Sequence, residues 1–297
     1  MSAEPHIFTL TGNLLAEHTL EFESWAAGRT QRATRETFQV GGKGINVSKM
    51  LNRLDAPNTA LCFAGGLSGR ECEQWFARSG FRPRIFPTLT PTRRGTVVRG
   101  RGQPETTFLG PDAAPDAAAL HACAHFLDAQ PDGQVLAVCG SFPGWNAPAS
   151  DSLRAALGRW CERGALVADT YGPPLAWFAE RPVALIKINA QEFMSVPASP
   201  SARANAQPAA WVITDGARPL RWRQFGGDWH LLSPPHVVEV SPTGSGDVLL
   251  ACLLDAMFRR GLPMGAALGW SLPFAAANAA DPGVAEFPPI TATAERC

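Results

Sequence analysis

Short apolar runs alternate with stretches of helical periodicity through the second half of the 297-residue chain. The apolar runs are long enough for buried strands and lie at residues 135–139, 166–169, 184–188 and 211–214. Strands that alternate with helices are typical of a mostly parallel sheet covered by helices on both faces. The pattern therefore predicts an α/β fold.

The first half of the chain combines one apolar run, at residues 6–10, with segments in which polar and apolar positions alternate. Two such segments, 19–25 and 31–40, are joined by a turn, and two more, 93–101 and 105–108, flank Gly-Gln-Pro. Alternation of this kind predicts strands with one face towards solvent. We therefore expect a half-exposed sheet built from two pairs of strands.

Two apolar helices are predicted near the C-terminal end of the sequence, at about residues 246–260 and 264–278. Pro273 lies inside the second helix. Because proline lacks the backbone N–H that a helix interior uses, we expect it to kink that helix or end it early. A stretch rich in Ser, Ala and Pro at residues 197–208 predicts a loop.

The charge balance limits the classes of function. Lys and Arg total 26, as do Asp and Glu, so the formal net charge is zero. Binding to nucleic acid regardless of its sequence needs a large positive excess, so we expect no nucleic-acid partner. The longest apolar stretch, residues 248–258, is too short to cross a bilayer, so we expect no membrane partner. Seven cysteines without a Cys-x-x-Cys pair, and no signal-peptide pattern, predict a cytoplasmic protein.

The clearest chemical motif is Ser-Pro-Thr-Gly-Ser-Gly-Asp at residues 241–247, directly before an apolar helix. Gly-x-Gly lets the backbone approach a ligand closely, and the free N–H groups of the helix start can bind an anion. A carboxylate at Asp247 could accept the proton of a hydroxyl that attacks a phosphoryl group. Taken alone, the run fits an ordinary helix N-terminus with Asp in its first turn equally well.

A second glycine-rich run, Gly-Gly-Lys-Gly-Ile-Asn-Val at residues 41–47, also precedes a helical pattern. It adds a cation, Lys43, which is one of only three lysines among the 26 basic residues. Taken alone it also fits a plain glycine-rich turn, and it is not a Walker-A loop. His121 and His125 have a metal-ligand spacing, but no acidic or Cys partner lies at motif distance, so we expect no metal site there.

The order, spacing and flanks of the two motifs resemble those of the ribokinase-like (phosphofructokinase B) sugar kinases, and the resemblance covers nearly the whole chain. Residues 41–47 resemble the N-terminal signature of that family, and residues 241–247 resemble the C-terminal one. Shorter matches lie between and after them, at residues 140–144, 169–170, 187–192, 214–216, 275–278 and 282–283. Thr92-Arg93 and Gly110-Pro111 resemble the subgroup that phosphorylates hexose phosphates, such as 1-phosphofructokinases and tagatose-6-phosphate kinases.

The resemblance implies a ribokinase-like three-layer α/β/α domain over residues 1–297, with a mostly parallel sheet and a small β-sheet lid. The lid segments would be inserted at about residues 17–40 and 92–109. Because the lid is also the dimer contact in the family, the resemblance implies a homodimer.

The implied activity is ATP-dependent phosphoryl transfer to a hydroxyl of a ketohexose phosphate, with Mg²⁺. Asp247 would be the catalytic base, and Gly244, Ser245 and Gly246 would bind the developing charge. The nucleotide residues would be Lys187, Thr214, Gly216 and Asn278, and Asn189 and Glu192 would hold Mg²⁺ through water. The acceptor residues would be Asn13, Glu17, Gly42, Lys43, Asn46 and Arg93. Arg29 and Arg32 could contribute to the anion site of Arg93, across a dimer if one forms.

The sequence departs from the family pattern mainly at the sugar end. Glu17 stands where the family usually has Asp, and Gly95 stands where it has Asn. Ile188, Asp215 and Pro219 replace a Pro, a Leu and a Gly. Two other functions therefore stay open: a kinase of an unphosphorylated sugar or nucleoside, and a catalytically weak sugar- or nucleotide-binding regulator. Lys43 and Arg93 count against the first of these, since a neutral acceptor needs no pair of cations. Asp247 and Gly-Ser-Gly count against the second.

Overall fold

The computed structural model describes residues 4–196 and 207–290. Most of the loop predicted at residues 197–208 lies outside these ranges. Within them, no helix is long and apolar enough to cross a membrane.

A mixed sheet of nine strands forms the centre of the described structure. In spatial order its strands are β13 (His230–Leu232), β12 (Arg218–Gln224), β11 (Ala210–Asp215), β10 (Leu185–Asn189), β9 (Ala165–Asp169), β8 (Val135–Cys139), β1 (Ile7–Thr11), β4 (Asn58–Ala64) and β5 (Arg84–Pro87). The strands from β11 to β5 are parallel, and β12 and β13 extend the sheet in antiparallel orientation. The chain runs outwards from β1 in one direction and from β8 in the other, so the strand order reverses between them.

Helices cover both faces of this sheet because its strands are apolar on both sides. Along β8, Val135 and Ala137 belong to one buried cluster, while Leu136 and Val138 belong to another. The first cluster packs against α1 (Lys43–Arg53), α7 (Ser245–Leu254) and α8 (Met264–Ala279). The second packs against α3 (Ala117–Asp128), α4 (Asp151–Arg163) and α5 (Pro173–Ala179). The predicted three-layer α/β arrangement is thereby confirmed.

A small second sheet has the order β3 (Arg35–Gly41), β2 (Leu15–Phe22), β6 (Arg93–Gly100) and β7 (Thr106–Leu109). Strands β2 and β3 are antiparallel, β2 and β6 are parallel, and β6 and β7 form the predicted hairpin. Strand β2 begins four residues before its predicted start and ends at Phe22. Its pairing with β6 over eight residues sets these bounds, and a polar–apolar pattern does not record such pairing.

Helix α2 (Gly66–Ser79), the short α6 (Ala190–Met194) and a 3-10 turn, Pro148–Ser150, complete the regular structure, and one π-helical turn, Asp255–Arg259, follows α7. Two expectations need correction. Of the two outcomes expected at Pro273, an early end of the helix is wrong: α8 continues to Ala279, and its apolar residues pack in the core. Strand β5 was not predicted, because it is short and ends in proline, which strands tolerate only at sheet edges.

Candidate active site

A cleft of about 550 Å³ opens where the carboxyl ends of the central strands meet the N-termini of α1 and α7. Ligands of parallel α/β sheets bind at this edge, next to the point where the strand order reverses. Most of the residues predicted for the site line the cleft. They are Asn13, Glu17, Gly42, Lys43, Asn46, Arg93, Lys187, Asn189, Glu192, Thr214, Gly244, Gly246 and Asp247.

The start of α7 brings the backbone of the C-terminal motif close to its neighbours. Gly244 is in the left-handed region, with φ of 78°, and a Cβ there would lie 2.6 Å from Cγ1 of Val284. A Cβ on Gly246 would lie 2.7 Å from Nζ of Lys187. Glycine is therefore required at position 244, whereas a side chain at position 246 would displace the end of Lys187, which lies against the turn that precedes Asp247.

The start of α1 faces the same place. Gly42, with φ of 123°, precedes the helix, and a Cβ there would lie 2.7 Å from Cγ2 of Thr11. Asn46, in the first turn of α1, donates from Nδ2 to Oδ2 of Asp247 at 2.8 Å. Both helices have a glycine as N-cap, so no side chain from that position caps their first N–H groups. Two helix N-termini thus converge on one carboxylate, which is an arrangement that suits an anionic ligand.

Asp247 is 5% exposed, and burial raises the pKa of its carboxyl group to about 6. The positive charge of Lys43 opposes this shift, the negative charge of Asp169 adds to it, and Lys187 and the hydrogen bond from Asn46 oppose it. A carboxyl group with this pKa is ionised at neutral pH and still basic enough to accept a proton. The environment therefore suits Asp247 to general-base chemistry.

Asp169, at the end of β9, holds two lysines together and was missed as a site residue. Its Oδ2 lies 2.7 Å from Nζ of Lys187, and its Oδ1 lies 2.8 Å from Nζ of Lys43. Burial works against ionisation, but the two ammonium groups outweigh it and lower the pKa of Asp169. Burial likewise disfavours the charged form of Lys43, yet Asp169, Asp247 and Glu192 raise its pKa. Lys43 is therefore a charged donor beside Asp247, and the carboxylate of Asp169 fixes the side chains of both lysines.

Asp169 could have been found from the strand pattern alone. Strands β9 and β10 are neighbours in a parallel sheet, so polar residues at their carboxyl ends lie at one edge. Asp169 ends β9, and Lys187 on β10 follows Ile186, which pairs with Ala168, the residue before Asp169.

At the other end of the cleft, Arg93 and Asn13 meet a second carboxylate that was also missed. Arg93 donates from Nη1 to Oδ1 of Asp112 at 3.2 Å, and Asn13 donates from Nδ2 to the same oxygen at 2.7 Å. Nε of Arg93 is buried and has no hydrogen-bond partner among the described residues. An oxygen atom of a ligand could accept from that N–H.

Asn189 and Glu192 form a capping box at the start of α6. The side chain of Asn189 accepts from the N–H of Glu192, and Oε2 of Glu192 accepts from the N–H of Asn189, each at 2.8 Å. Oε1 of Glu192 remains on the cleft side, 3.7 Å from Nζ of Lys43. Across residues 4–196 and 207–290, no cluster of three or more His, Cys, Asp and Glu side chains could hold a metal ion directly.

A second cavity of about 340 Å³ adjoins the cleft and shares Thr214, Pro242 and Gly246 with it. Its walls include Gly216 and Ser245, together with apolar side chains of α7 and α8, which are Leu249, Leu272, Ala275, Ala276 and Ala279. The predicted residues Gly216 and Ser245 therefore lie beside this cavity rather than the cleft.

Asn278 does not line either cavity, contrary to expectation. Its side chain is fully buried, donates to the carbonyl of Thr243 and to Oγ of Ser245, and accepts from the N–H of Ala285. A carboxamide satisfies all three groups at once, so Asn278 braces the glycine turn from behind.

Three other sequence features lie away from the cleft or fill space beside it. Arg29 and Arg32 are exposed between β2 and β3, outside the described lining of the cleft. His121 and His125 are exposed on α3. Gly95 faces the cleft wall, where a Cβ would lie 2.9 Å from Cδ1 of Leu15. Leu15 thus occupies the space that a side chain at position 95 would need.

Comparison with known proteins identifies related chains. The sequence model of the pfkB family carbohydrate kinases matches residues 12–289. The 1-phosphofructokinase of Bacillus subtilis is 25% identical over 137 residues, which are 46% of this chain and 45% of that protein. The 1-phosphofructokinase of Haloferax volcanii is 36% identical over 93 residues, 31% of this chain and 30% of that protein. The ATP-dependent 6-phosphofructokinase isozyme 2 of Mycobacterium tuberculosis is 26% identical over 284 residues, 91% of this chain and 80% of that protein.

Solved structures share the architecture. Phosphofructokinase-2 from Escherichia coli in complex with fructose-6-phosphate aligns with a TM-score of 0.81 and 17% identity, covering 93% of this chain and 94% of that one. A putative ribokinase from Agrobacterium tumefaciens aligns with a TM-score of 0.72 and 13% identity, covering 96% and 94%. At these identities the likeness shows the fold alone, and it confirms the ribokinase-like fold expected from the sequence.

Proposed function

Because the chain belongs to the pfkB family of carbohydrate kinases, we propose that it transfers the γ-phosphoryl group of ATP to a hydroxyl of a ketohexose phosphate. One observation carries the proposal. Asp247 is a buried carboxylate with a pKa of about 6 at a glycine-rich helix N-terminus, in a cleft that also holds Lys43 and Lys187. A base, an anion site and fixed positive charge are what phosphoryl transfer to a hydroxyl needs.

In the proposed reaction the acceptor hydroxyl gives its proton to Asp247. Its oxygen bonds to the γ-phosphorus as the bond from that phosphorus to the bridging β–γ oxygen breaks, so ADP leaves with the bonding electron pair. Backbone N–H groups of Gly244, Ser245 and Gly246 bind the charge that develops on the transferred oxygens. Asn46 holds the carboxylate of Asp247 towards the acceptor, and the two lysines offset the phosphate charge.

The donor set also fits Mg²⁺ held through water. One carboxylate oxygen of Glu192 remains on the cleft side, while its capping box fixes the orientation of the group. Mg²⁺ prefers oxygen ligands and keeps much of its hydration, and when bound it neutralises phosphate charge.

The nucleotide is proposed to span both cavities. The second cavity offers apolar walls from α7 and α8, which suit a planar base. Thr214, Pro242 and Gly246 line both cavities, so a ligand in the second can extend its phosphates past them into the cleft.

A phosphorylated acceptor is favoured over a neutral one by the unpartnered Nε–H of Arg93. A buried donor without a partner costs stability, and a phosphate oxygen would satisfy it. A hydroxyl oxygen of a free sugar could also accept from that N–H, but a phosphate oxygen forms the stronger, charge-assisted hydrogen bond. A weak binding regulator would have no use for a buried base whose pKa is raised by its position.

We further propose that the small sheet mediates a homodimer. Phe108, on β7, is more than half exposed, and β7 is an edge strand of the small sheet, whose free backbone groups can pair with a second copy. Analytical ultracentrifugation of the protein and of Phe108→Ser tests this: a dimer that the substitution converts to monomer supports the proposal, and a wild-type monomer contradicts it.

The substrate class is tested by ADP release with MgATP and a panel of acceptors. The panel contains fructose 1-phosphate, tagatose 6-phosphate and fructose 6-phosphate, with the free sugars as matched controls. We expect turnover of a phosphosugar at least about 100-fold more efficient than that of its free sugar, since a buried charge-assisted hydrogen bond is lost without the phosphate. Turnover of free sugars or nucleosides alone would show that the acceptor assignment is wrong.

A further inference from the structure

A chain of three polar side chains runs from the cleft into the contact between α1 and the small sheet. Glu17, on β2, lines the cleft. Gln39 lies directly opposite it on β3 and donates from Nε2 to Oε1 of Glu17. Lys49, on α1, donates from Nζ to Oε1 of Gln39 at 3.1 Å. We infer that Gln39 and Lys49 are positioning residues that orient the Glu17 carboxylate for the sugar.

The order of the groups fixes the orientation of the Gln39 amide. An ammonium can only donate, and an ionised carboxylate can only accept. The amide carbonyl therefore faces Lys49 and the amide N–H₂ faces Glu17. The reverse orientation would place the amide N–H₂ against the ammonium and the amide carbonyl against the carboxylate. Only one orientation of the Gln39 amide therefore forms both hydrogen bonds.

Lys49 is itself held in place by packing rather than by a direct ion pair. Its Nζ lies 5.3 Å from the centre of the Trp75 ring on α2, which favours a cation. Burial lowers the pKa of Lys49, while the negative charges of Glu286, Glu17 and Asp247 oppose that shift. No carboxylate lies within salt-bridge distance of Lys49 in the described ranges, so Gln39 is its hydrogen-bonding partner there.

The hydrogen bonds from Lys49 through Gln39 to Glu17 restrict a side chain that has one more rotatable bond than the Asp that the family usually has at this place. A longer carboxylate side chain has more conformations to lose when it binds a ligand. In the described part of the protein, Gln39 is the one side chain that donates to Glu17. Gly41 leaves room for the other oxygen, since a Cβ there would lie 3.3 Å from Oε2 of Glu17. Fixing one oxygen leaves the second to accept from a sugar hydroxyl.

This inference rests on the proposed function, and steady-state kinetics of Gln39 variants test it. In Gln39→Met the side chain keeps its length and loses both hydrogen bonds. We expect KM for the phosphosugar to rise about ten-fold or more, since hydrogen bonds to charged groups are involved. KM for ATP and kcat should stay within about two-fold, because the γ-phosphate end of the cleft is untouched.

A second variant separates orientation from packing. Gln39→Glu keeps the size of the side chain and the contact with Lys49 but replaces the donor to Glu17 with a like charge. The inference predicts a rise in KM for the phosphosugar at least as large as in Gln39→Met, whereas a packing role predicts none. Thr37→Val is the matched control, since Thr37 is on the same strand face, pairs with Thr19 and lies outside the lining of the cleft.

A double-mutant cycle tests whether the rise in KM caused by Gln39→Met arises through Glu17. If Gln39 acts through Glu17, Gln39→Met should add less than about two-fold to the KM of a Glu17→Gln variant. Isothermal titration of the ATP-free protein with fructose 1-phosphate and fructose 6-phosphate gives the same comparison without turnover.

The possible outcomes distinguish a failure of this inference from a failure of the proposed function. A wild-type protein that turns over a phosphosugar, with variants that keep its KM, overturns the inference and leaves the proposed function intact. A rise in KM for ATP that accompanies the rise in KM for the phosphosugar, together with a loss of thermal stability, indicates a structural role and also overturns the inference. A wild-type protein without binding or turnover of any phosphosugar overturns both.

Discussion

At the scale of single residues, the same burial that makes Asp247 a useful base weakens the folded protein. Its folded-state pKa of about 6 lies above the ordinary value of 3.8. The folded protein therefore binds the proton more tightly than the unfolded chain does. The corresponding stability is fully present below about pH 4 and is lost as the pH rises through about 6.

Asp247→Asn should consequently be more stable than the wild type at about pH 8, by roughly 1–3 kcal/mol, since each pKa unit corresponds to about 1.4 kcal/mol. The difference should shrink as the pH falls through about 6 and vanish near pH 4. Urea unfolding of both proteins across this pH range measures it. A variant that is less stable than the wild type at pH 8 would show that the lysines, rather than burial, dominate the environment of Asp247.

Substitution of Asp169, unlike that of Asp247, should lower the stability of the folded protein. Asp169→Asn keeps the shape of the side chain but leaves the buried ammonium of Lys187 without its charged partner. Breaking one side of a buried ion pair costs about 3–5 kcal/mol. Asp128→Asn is a suitable control, because the pair between Asp128 and Arg159 is exposed and should contribute less than about 1 kcal/mol. Equal losses in urea unfolding for the two variants would contradict this account of Asp169.

Residue types and order along the chain pointed to Asp247, both glycine turns and the two lysines. They did not point to Asp169 or Asp112, because each carboxylate accepts from two donors that only the fold brings together, one of them far away in sequence. Lys43 is 126 residues from Asp169, and Asn13 is 99 residues from Asp112. Asn278 was placed in the pocket wall for a related reason: the resemblance indicates proximity to the loop but not the direction of the side chain.

At the scale of elements, a set of hydrogen bonds from Arg99 and Glu105 connects the small sheet to the glycine turn at the start of α7. Arg99, on β6, donates to Glu105 at 2.7 Å and to the carbonyl of Pro282 at 2.9 Å. Glu105 accepts from the hydroxyl of Thr243, which directly precedes Gly244, at 3.4 Å. The small sheet is thus held against the glycine turn that precedes Asp247.

Arg99→Met should remove the hydrogen bonds of Arg99 without unfolding the protein. Partly exposed ion pairs contribute about 0.2–1 kcal/mol, so amide hydrogen exchange across residues 93–109 should accelerate by no more than about five-fold. KM for both substrates should rise, while the melting temperature changes little. Arg101→Met, on the exposed turn of the same hairpin, should leave all of these unchanged. Unaltered exchange in Arg99→Met would show that the small sheet is held by other contacts.

Element type was easier to predict than element ends. The continuous apolar run of β8 was located correctly to the residue, because burial on both faces leaves no alternation to misread. The start of β2 and the existence of β5 depend on pairing with other strands, which a local pattern does not contain. Pro273 does not end α8 early, since tertiary packing of the helix outweighs one missing N–H.

At the scale of the whole molecule, the position of the site follows from chain topology. The strand order reverses between β1 and β8, and helices α1 and α7 point their N-termini at the same edge of the sheet. Two motifs 201 residues apart, joined through Asn46 and Asp247, therefore form one cleft. The second cavity continues it on the α7–α8 side. The fold thus brings two adjoining cavities to the glycine turn at the start of α7, and Asp247 lines the larger of them.

The most direct test of this account is phosphorus NMR of MgATP and fructose 1-phosphate or fructose 6-phosphate, incubated with the wild type and with Asp247→Asn. With the wild type we expect ADP and a doubly phosphorylated ketohexose in equal amounts. With Asp247→Asn we expect the rate to fall about 100-fold to 10,000-fold, the usual contribution of a general base, while ATP still binds. A variant that forms the product at the wild-type rate would contradict the central role of Asp247.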